Sequence, residues 1–318
     1  MKNRFIETSS LPTKQGNIME IISRSYDPET DFDLVGRFLI QLFEMTLSFQ
    51  YWLPVRFENS HTDRVEDVRI WESHGKDGST EIVAITSSDS PNHFYIHTHP
   101  EYRALEAEII EWIEQHVVVT KKDPNKPSKL FLFSMQGDSE REDALLNAGF
   151  VKEGIAGIHR SRPLHLPIPK VEVPKGFIIR NIQGRADYDQ LAETIRIIFG
   201  HGEWFNADIL EGIARCSFYK EDLDLVAVAS DGTFASICTF RVDPFGKMAT
   251  VEPMGTHPNY RKLGLGKILI FEGLRRALKY NPTLFYIDSA ANNPAANKFY
   301  DSVGFTEDAV EYYWRKEL

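Results

Sequence analysis

Two rhythms of hydrophobic residues run along this chain, and they run in the same order twice. Alternation with period two marks a strand, and recurrence three and four positions apart marks an amphipathic helix. From Ile18 the order is a strand (IMEIISRS), a helix (DFDLVGRFLIQLFEMTLSF) and three strands (VEDVRIWES, TEIVAITSS, HFYIHTHP). A helix (EYRALEAEIIEWIEQHV), a strand (KLFLFSMQG), a short helix (SEREDALLNAG) and a closing strand (FVKEGIAGIHRS) follow. From Gly176 the order returns. A strand (GFIIRNI) leads to two helices (DYDQLAETIRIIFG, NADILEGIARCSF) and three strands (LDLVAVAS, FASICTFRV, MATVEPMG). Then come a helix from Gly264 to about Tyr280, a strand (TLFYIDSA), a helix (NPAANKFYDSVG) and a last strand (AVEYYWRKEL). Helical spacing puts Leu105, Ile109, Trp112 and His116 on one face, and Ile268, Phe271, Leu274 and Leu278 on another. Gly200 is placed to end a helix, Asn206 to cap the next, and Pro294 to stand first in the one after Asn293.

The two runs are joined by SRPLHLPIPKVEVPKG, residues 161–176. Pro163, Pro167, Pro169 and Pro174 forbid a helix there and favour an extended connection. The expected organisation is residues 1–160, a linker over 161–176, and residues 177–318. The fold class expected is α/β: two domains in tandem, each a mixed, mostly antiparallel sheet flanked by helices. This is duplication at domain scale rather than a short-period solenoid.

Composition narrows the function. With 318 residues the chain has room for two ordinary cores, and 42% hydrophobic with 26% charged residues is the balance of a globular protein. The formal net charge of -10 argues against nucleic acid as a partner, which calls for a basic face. Cys216 and Cys238 are not at metal-ligand spacing, so a reduced, cytoplasmic protein without a metal is expected. MKNRFIETSSLPTKQ lacks the apolar core of a secretory signal, and no run long enough to span a membrane occurs.

The candidate chemistry lies in a motif that is present twice. THPEYRAL starts at Thr98 and THPNYRKL at Thr256, so both fit Thr-His-Pro-x-Tyr-Arg-x-Leu. The second copy continues with Gly264, Leu265, Gly266 and Lys267 at the start of a helix. Glycines let a bulky anion approach the backbone, and the first N–H groups of a helix lack intrahelical partners. With the helix dipole these amides form an anion site suited to a pyrophosphate, and Arg261 and Lys267 add positive charge. The spacing is not that of a P-loop, nor that of a dinucleotide fingerprint.

Arg261-x-x-Gly264-x-Gly266 after a strand resembles the acyl-CoA loop of the GNAT superfamily of N-acetyltransferases. Asn293, Ala296, Tyr300, Gly304 and Phe305 in NPAANKFYDSVGF match a second motif of that family. The resemblance covers residues 176–318; for residues 17–160 it extends to the order of elements and the motif frame. It implies transfer of an acetyl group from acetyl-CoA to a primary amine of a small molecule. It implies acetyl-CoA contacts at Met254, Gly255, Thr256, Arg261, Lys262, Leu263, Gly264, Leu265, Gly266, Lys267, Asn293 and Ala296. Tyr300 matches the general acid, and the backbone at Met254–Thr256 the donors for the carbonyl oxygen. An ammonium with a pKa near 10 must lose a proton before attack, so a base is needed. Glu252, a carboxylate within an apolar strand, suits that role. His257 is a chemical rival, but it belongs to the frame that both copies share. In the family the connection holding His201, Glu203 and Trp204 covers the acceptor, and Asp243 and Asp288 are further candidates there.

Aligned on the motif, Gly264 and Gly266 correspond to Glu106 and Glu108, and Glu252 to Phe94. Aligned on Gly149-Phe150 and Gly304-Phe305, Tyr300 corresponds to Leu145 and Asn293 to Asp138. The first half is thus expected to keep the architecture without the cofactor, as a structural or substrate-shaping partner. A non-catalytic acyl-CoA sensor, independent of Glu252 and Tyr300, and a dinucleotide-dependent oxidoreductase are the competing functions.

Overall fold

The structure, a computed structural model, describes residues 7–12, 18–46, 54–60, 64–75, 77–120 and 128–318. The amino-terminal stretch read above for a secretory signal lies mostly outside them. In chain order the elements begin with β1 (Glu7–Pro12), β2 (Ile18–Ser25), α1 (Pro28–Thr46), α2 (Pro54–Ser60), β3 (Arg69–His74) and β4 (Thr80–Ser90). They continue with β5 (His93–Thr98), α3 (Glu106–Thr120), β6 (Lys129–Met135), α4 (Ser139–Asn147) and β7 (Val151–Arg162). After a stretch without helix or strand come β8 (Phe177–Asn181), α5 (Arg185–Phe199), α6 (Ala207–Ala214), β9 (Asp224–Ala229), β10 (Phe234–Val242) and β11 (Met248–Thr256). The chain ends with α7 (Leu265–Ala277), β12 (Leu284–Ala290), α8 (Pro294–Ser302) and β13 (Glu307–Glu317). The periodicity did not reveal β1 or α2, both of which are short.

Two compact units divide these elements: Met1–Ile158 with Ala309–Leu318, and His159–Asp308. The last ten residues, expected with residues 177–308, therefore lie in the first unit. The reason is pairing and burial. β13 runs antiparallel to β6, from Glu311 opposite Met135 to Glu317 opposite Lys129. Trp314 is 1% exposed among Leu132, Leu145 and Phe150, and its indole N–H donates to Ser134 Oγ at 2.9 Å. Alternation in AVEYYWRKEL announces a strand with one buried face, but it does not name the neighbour.

In the first unit β1 to β5 pair antiparallel in sequence order. β5 and β6 are parallel, and their pairing is confined to His93 opposite Phe131. In the second unit β8 to β11 pair antiparallel in sequence order. β11 and β12 are parallel at Met248–Leu284, Ala249–Phe285 and Thr250–Tyr286. Each unit is therefore a mixed sheet, with its recorded pairings antiparallel except at β5–β6 and β11–β12.

Packing of α7 onto the sheet makes the main core of the second unit. Leu265, Leu269, Ile270, Leu274 and Ala277 bury against Leu225, Phe240, Val251, Phe285 and Phe305. Each such side chain contributes roughly 1.5–3 kcal/mol on burial, and Leu269→Ala would cost about 2–5 kcal/mol. Leu278, expected on this face, is 46% exposed because α7 ends at Ala277 and a tighter turn runs to Asn281. In α3 the buried stripe is Ile109, Ile110, Ile113 and Val117. Trp112 and His116 lie at its border, stacked on each other with centroids 4.8 Å apart. The end signals are where the residues put them. Gly200 takes a left-handed conformation, and the Asn206 side chain accepts from the Asp208 and Ile209 amides.

Candidate active site

The second unit has a gap in its sheet. Parallel pairing of β11 with β12 stops at Thr250 and Tyr286. β11 stays with β10, where Met254, Gly255 and Thr256 lie opposite Cys238, Ile237 and Ser236. The register shifts between Cys238 and Phe240, leaving Glu252 and Pro253 as the irregular part of β11. The Glu252–Pro253 peptide is cis. The two strands thus part after the parallel segment, with Val251–Thr256 on one side and Ile287–Ala290 on the other.

The start of α7 follows directly from β11. Gly264 precedes the helix with φ 77°, a left-handed conformation, and no side chain caps the first turn. The Ile268 amide is the first to reach back, to Gly264 O at 3.2 Å. The Leu265, Gly266 and Lys267 amides precede it and have no carbonyl in their own helix to bond. A Cβ on Gly264 would meet nothing within 4 Å, so space lies open at the helix start. A Cβ on Gly266 would stand 2.5 Å from Met254 Cε, so this glycine brings the helix close to the strand. Arg261, Lys262, Leu263, Gly264 and Lys267 are exposed, whereas Leu265 and Gly266 are buried. The arrangement fits a phosphate group: open space, unpaired amides, the positive end of a helix and two or three cations.

His257 serves the turn. Its Nδ1 accepts from the Asn259 amide at 3.3 Å, and its own amide donates to Ala235 O at 3.0 Å. His99 does the same in the first unit, accepting from Glu101 at 3.2 Å and donating to Val83 O at 2.8 Å. The shared Thr-His-Pro frame is accordingly a strand-to-helix turn in both units.

α8 lies beyond the gap. Asn293 caps it, accepting from the Ala296 amide at 3.2 Å. Tyr300, one turn from its end, is 8% exposed and packs with Val303, Phe305 and Cys238. Burial, then the neighbouring Cys238 and Asp288, push its phenol up to about 12, so it holds its proton at neutral pH. Asp288 stands on β12 beyond the parting point, with His159 Nδ1 3.7 Å from its Oδ1. Asp243 is occupied elsewhere, accepting from the Phe245 and Gly246 amides in the β10–β11 turn.

Glu252 has a partner that was not foreseen. Its Oε2 lies 3.4 Å from Arg241 Nη1 on β10. Arg241 is 4% exposed, which an arginine within FASICTFRV could have signalled, since a buried guanidinium needs a counter-charge. His201, Glu203 and Trp204 lie in the α5–α6 connection, and all three are exposed. His201 and Trp204 have ring centroids 5.2 Å apart, and Glu203 is 3.8 Å from Arg196. The end of α5 closes on β11, because a Cβ on Gly255 would stand 2.4 Å from Ile198 Cγ2.

At the matching positions the first unit carries an internal ion pair. Glu106, at the start of α3, is 1% exposed. Arg141 grips it with Nε at 2.6 Å and Nη2 at 2.8 Å, and Arg103 Nη1 adds a contact at 3.0 Å. Arg141 also donates to Ile96 O at 3.1 Å and Phe133 O at 3.4 Å, one on each strand of the β5–β6 junction. Glu108 accepts from the Trp71 indole at 2.8 Å. Arg103, the counterpart of Arg261, is bound up with carboxylates, whereas Arg261 is exposed and reaches only Thr256 O at 3.4 Å. Leu145, in place of Tyr300, is wholly buried. Among the described residues no group of three or more His, Cys, Asp or Glu could hold a metal ion, and no helix is long and apolar enough to cross a membrane.

Residues 192–305 match the model of the acetyltransferase (GNAT) family. A mycothiol acetyltransferase of Thermobispora bispora is 30% identical over 185 residues, 54% of this chain and 61% of that protein. A mycothiol acetyltransferase of Thermomonospora curvata is 31% identical over 163 residues, 48% of this chain and 52% of that protein. The matches thus span about half of each curated relative. A GCN5-related N-acetyltransferase from Sphaerobacter thermophilus has the same fold, with a TM-score of 0.69 at 17% identity over 93% of this chain and 95% of that one. A tandem GNAT protein from the clavulanic acid biosynthesis pathway gives a TM-score of 0.63 at 14% identity over 98% of both chains. The similarity to the acetyltransferase (GNAT) family thus lies in the carboxy-terminal part of the chain, over residues 192–305.

Proposed function

We propose that the protein is an acetyl-CoA-dependent N-acetyltransferase with one active site, in the second unit, acting on a primary amine of a small molecule in the cytoplasm. The observation that carries this is the parting of β11 from β12 beside the uncapped start of α7. Amides of Leu265, Gly266 and Lys267, with Arg261 and Lys262, hold the pyrophosphate, and Asn293 and Ala296 line the cofactor at α8. Glu252 takes a proton from the acceptor's ammonium, directly or through water, and passes it to solvent. The amine nitrogen bonds the thioester carbonyl carbon while backbone amides of Met254–Thr256 face the developing negative charge. As the C–S bond breaks, Tyr300 gives its proton to the sulfur and regains one from the spent ammonium group. The products are the amide, the free thiol and one proton released to water. His201 and Trp204 flank the acceptor through an aromatic face, and Glu203 adds charge complementary to a cation.

In this reading the first unit holds no cofactor, since Glu106 and Arg141 occupy one another there. The relatives named mycothiol acetyltransferase support acetyl transfer to a small molecule. The test is thiol release from acetyl-CoA with a panel of small primary amines. Amine-dependent release supports an enzyme. Binding without release by any amine favours an acyl-CoA sensor instead.

A further inference from the structure

Arg241 stands between two carboxylates. Its guanidinium lies 5.0 Å from the Phe218 ring and is almost wholly buried. On one side is Asp224 of β9, which accepts from Thr239 Oγ1 at 2.7 Å and from the Tyr219 hydroxyl at 2.8 Å. Tyr219 bonds in turn to Tyr188 of α5. On the other side is Glu252, the more exposed carboxylate, on the irregular part of β11. A buried guanidinium calls for a counter-charge, and Glu252 is a carboxylate in contact with it. Arg241 thus presents Nη1 to the Glu252 carboxylate at the gap. The first unit has neither member of this pair. Phe94 stands where Glu252 does, and β4, TEIVAITSSDS, contains no arginine.

We infer that Arg241 is a positioning residue for acetyl transfer, holding the Glu252 carboxylate in one orientation at the gap between β11 and β12. The inference rests on the proposed reading of Glu252 as the base. A carboxylate on a flexible stem, placed where strand pairing is irregular, samples orientations from which no ammonium can be reached; one fixed cation restricts them. The titratable groups around this wall are Arg241 and Asp224 with Tyr219 and Tyr188 behind, and Asp288 and Tyr300 from β12 and α8. Arg241 is in direct contact with Glu252.

The experiment compares Glu252→Gln, Arg241→Gln and Arg241→Lys in the full chain. It measures kcat and KM against pH, acetyl-CoA affinity and thermal melting. Arg241→Gln is expected to lower kcat about tenfold to a hundredfold, with acetyl-CoA affinity unchanged. Its acid limb of kcat/KM should move up by about one pH unit, since a carboxylate that loses a neighbouring cation binds protons more tightly. Arg241→Lys should restore the limb and recover only part of kcat. Glu252→Gln should be nearly inactive. Wild-type activity in Glu252→Gln removes the base assignment, and this inference with it. An inactive Glu252→Gln beside an Arg241→Gln with wild-type kcat and acid limb overturns the inference alone. If Arg241→Gln does not fold, a wild-type kcat in Arg241→Lys overturns it equally.

Discussion

Gly264→Asp and Gly264→Asn form a matched pair for testing where the cofactor's phosphates bind. Both side chains have the same size, and both tolerate the left-handed conformation that φ 77° imposes better than other residues do. Neither meets an obstacle at its Cβ, because nothing lies within 4 Å. The pair therefore differs by one negative charge, placed at the start of α7. Two unit charges about 6 Å apart repel by about 1.4 kcal/mol at an effective dielectric constant of about 40. A pyrophosphate carrying about two charges nearby doubles that, so Asp should bind acetyl-CoA roughly tenfold to a hundredfold more weakly than Asn. Titration calorimetry reads the difference directly, and it should shrink in 1 M salt, where the Debye length falls to about 3 Å. The stoichiometry should be one per chain in the wild type. Equal affinities for Asp and Asn would refute phosphate binding at this helix. Two sites per chain would refute the exclusion of the cofactor by Glu106 and Arg141.

Tyr300→Phe should keep acetyl-CoA affinity and lose about 10²-fold or more in kcat, as expected for removal of a general acid; wild-type turnover would return Tyr300 to a packing role. Trp204→Ala should raise the acceptor KM and leave acetyl-CoA affinity alone, and an unchanged acceptor KM would remove the α5–α6 connection from the site. Arg141→Met leaves the buried Glu106 carboxylate with Arg103 alone and should destabilise the protein by about 3–5 kcal/mol in denaturant unfolding; a loss below about 1 kcal/mol would show that the pair is not closed off from water. His97, buried and facing the Arg141 charge, is pushed from its ordinary 6.5 down to about 3. The unfolded chain then binds one more proton than the folded one between those values, so stability falls as the pH drops through that window, by about 1.4 kcal/mol per unit. His97→Asn should lack this component, and parallel stability curves for the two proteins from pH 7 to 5 would refute it.

What was legible in the sequence is what depends on near neighbours. The cap at Asn206, the stop at Gly200 and Pro294 at the start of its helix each involve residues within a few positions, and all are found as expected. The order of strands and helices was legible for the same reason. What stayed hidden were partners brought together by the sheet. Nothing local joins Glu252 to Arg241, Trp314 to Ser134, or Glu106 to an arginine 35 positions later. Arg103 and Arg261 make the point within one motif. They occupy the same place in the same turn, yet one is drawn in by Glu106 and Asp138 and the other stays exposed beside a glycine. Replacing the glycine with a carboxylate does more than repel an anion. It recruits the motif's own arginine and a second one from α4, and it fills the strand junction with a guanidinium. Placing glycine at position 106 alone would leave Arg141 buried between two strands without its Glu106 counter-charge. The physical difference between the two units therefore lies in an ion pair that must change as a whole, and not in a single residue.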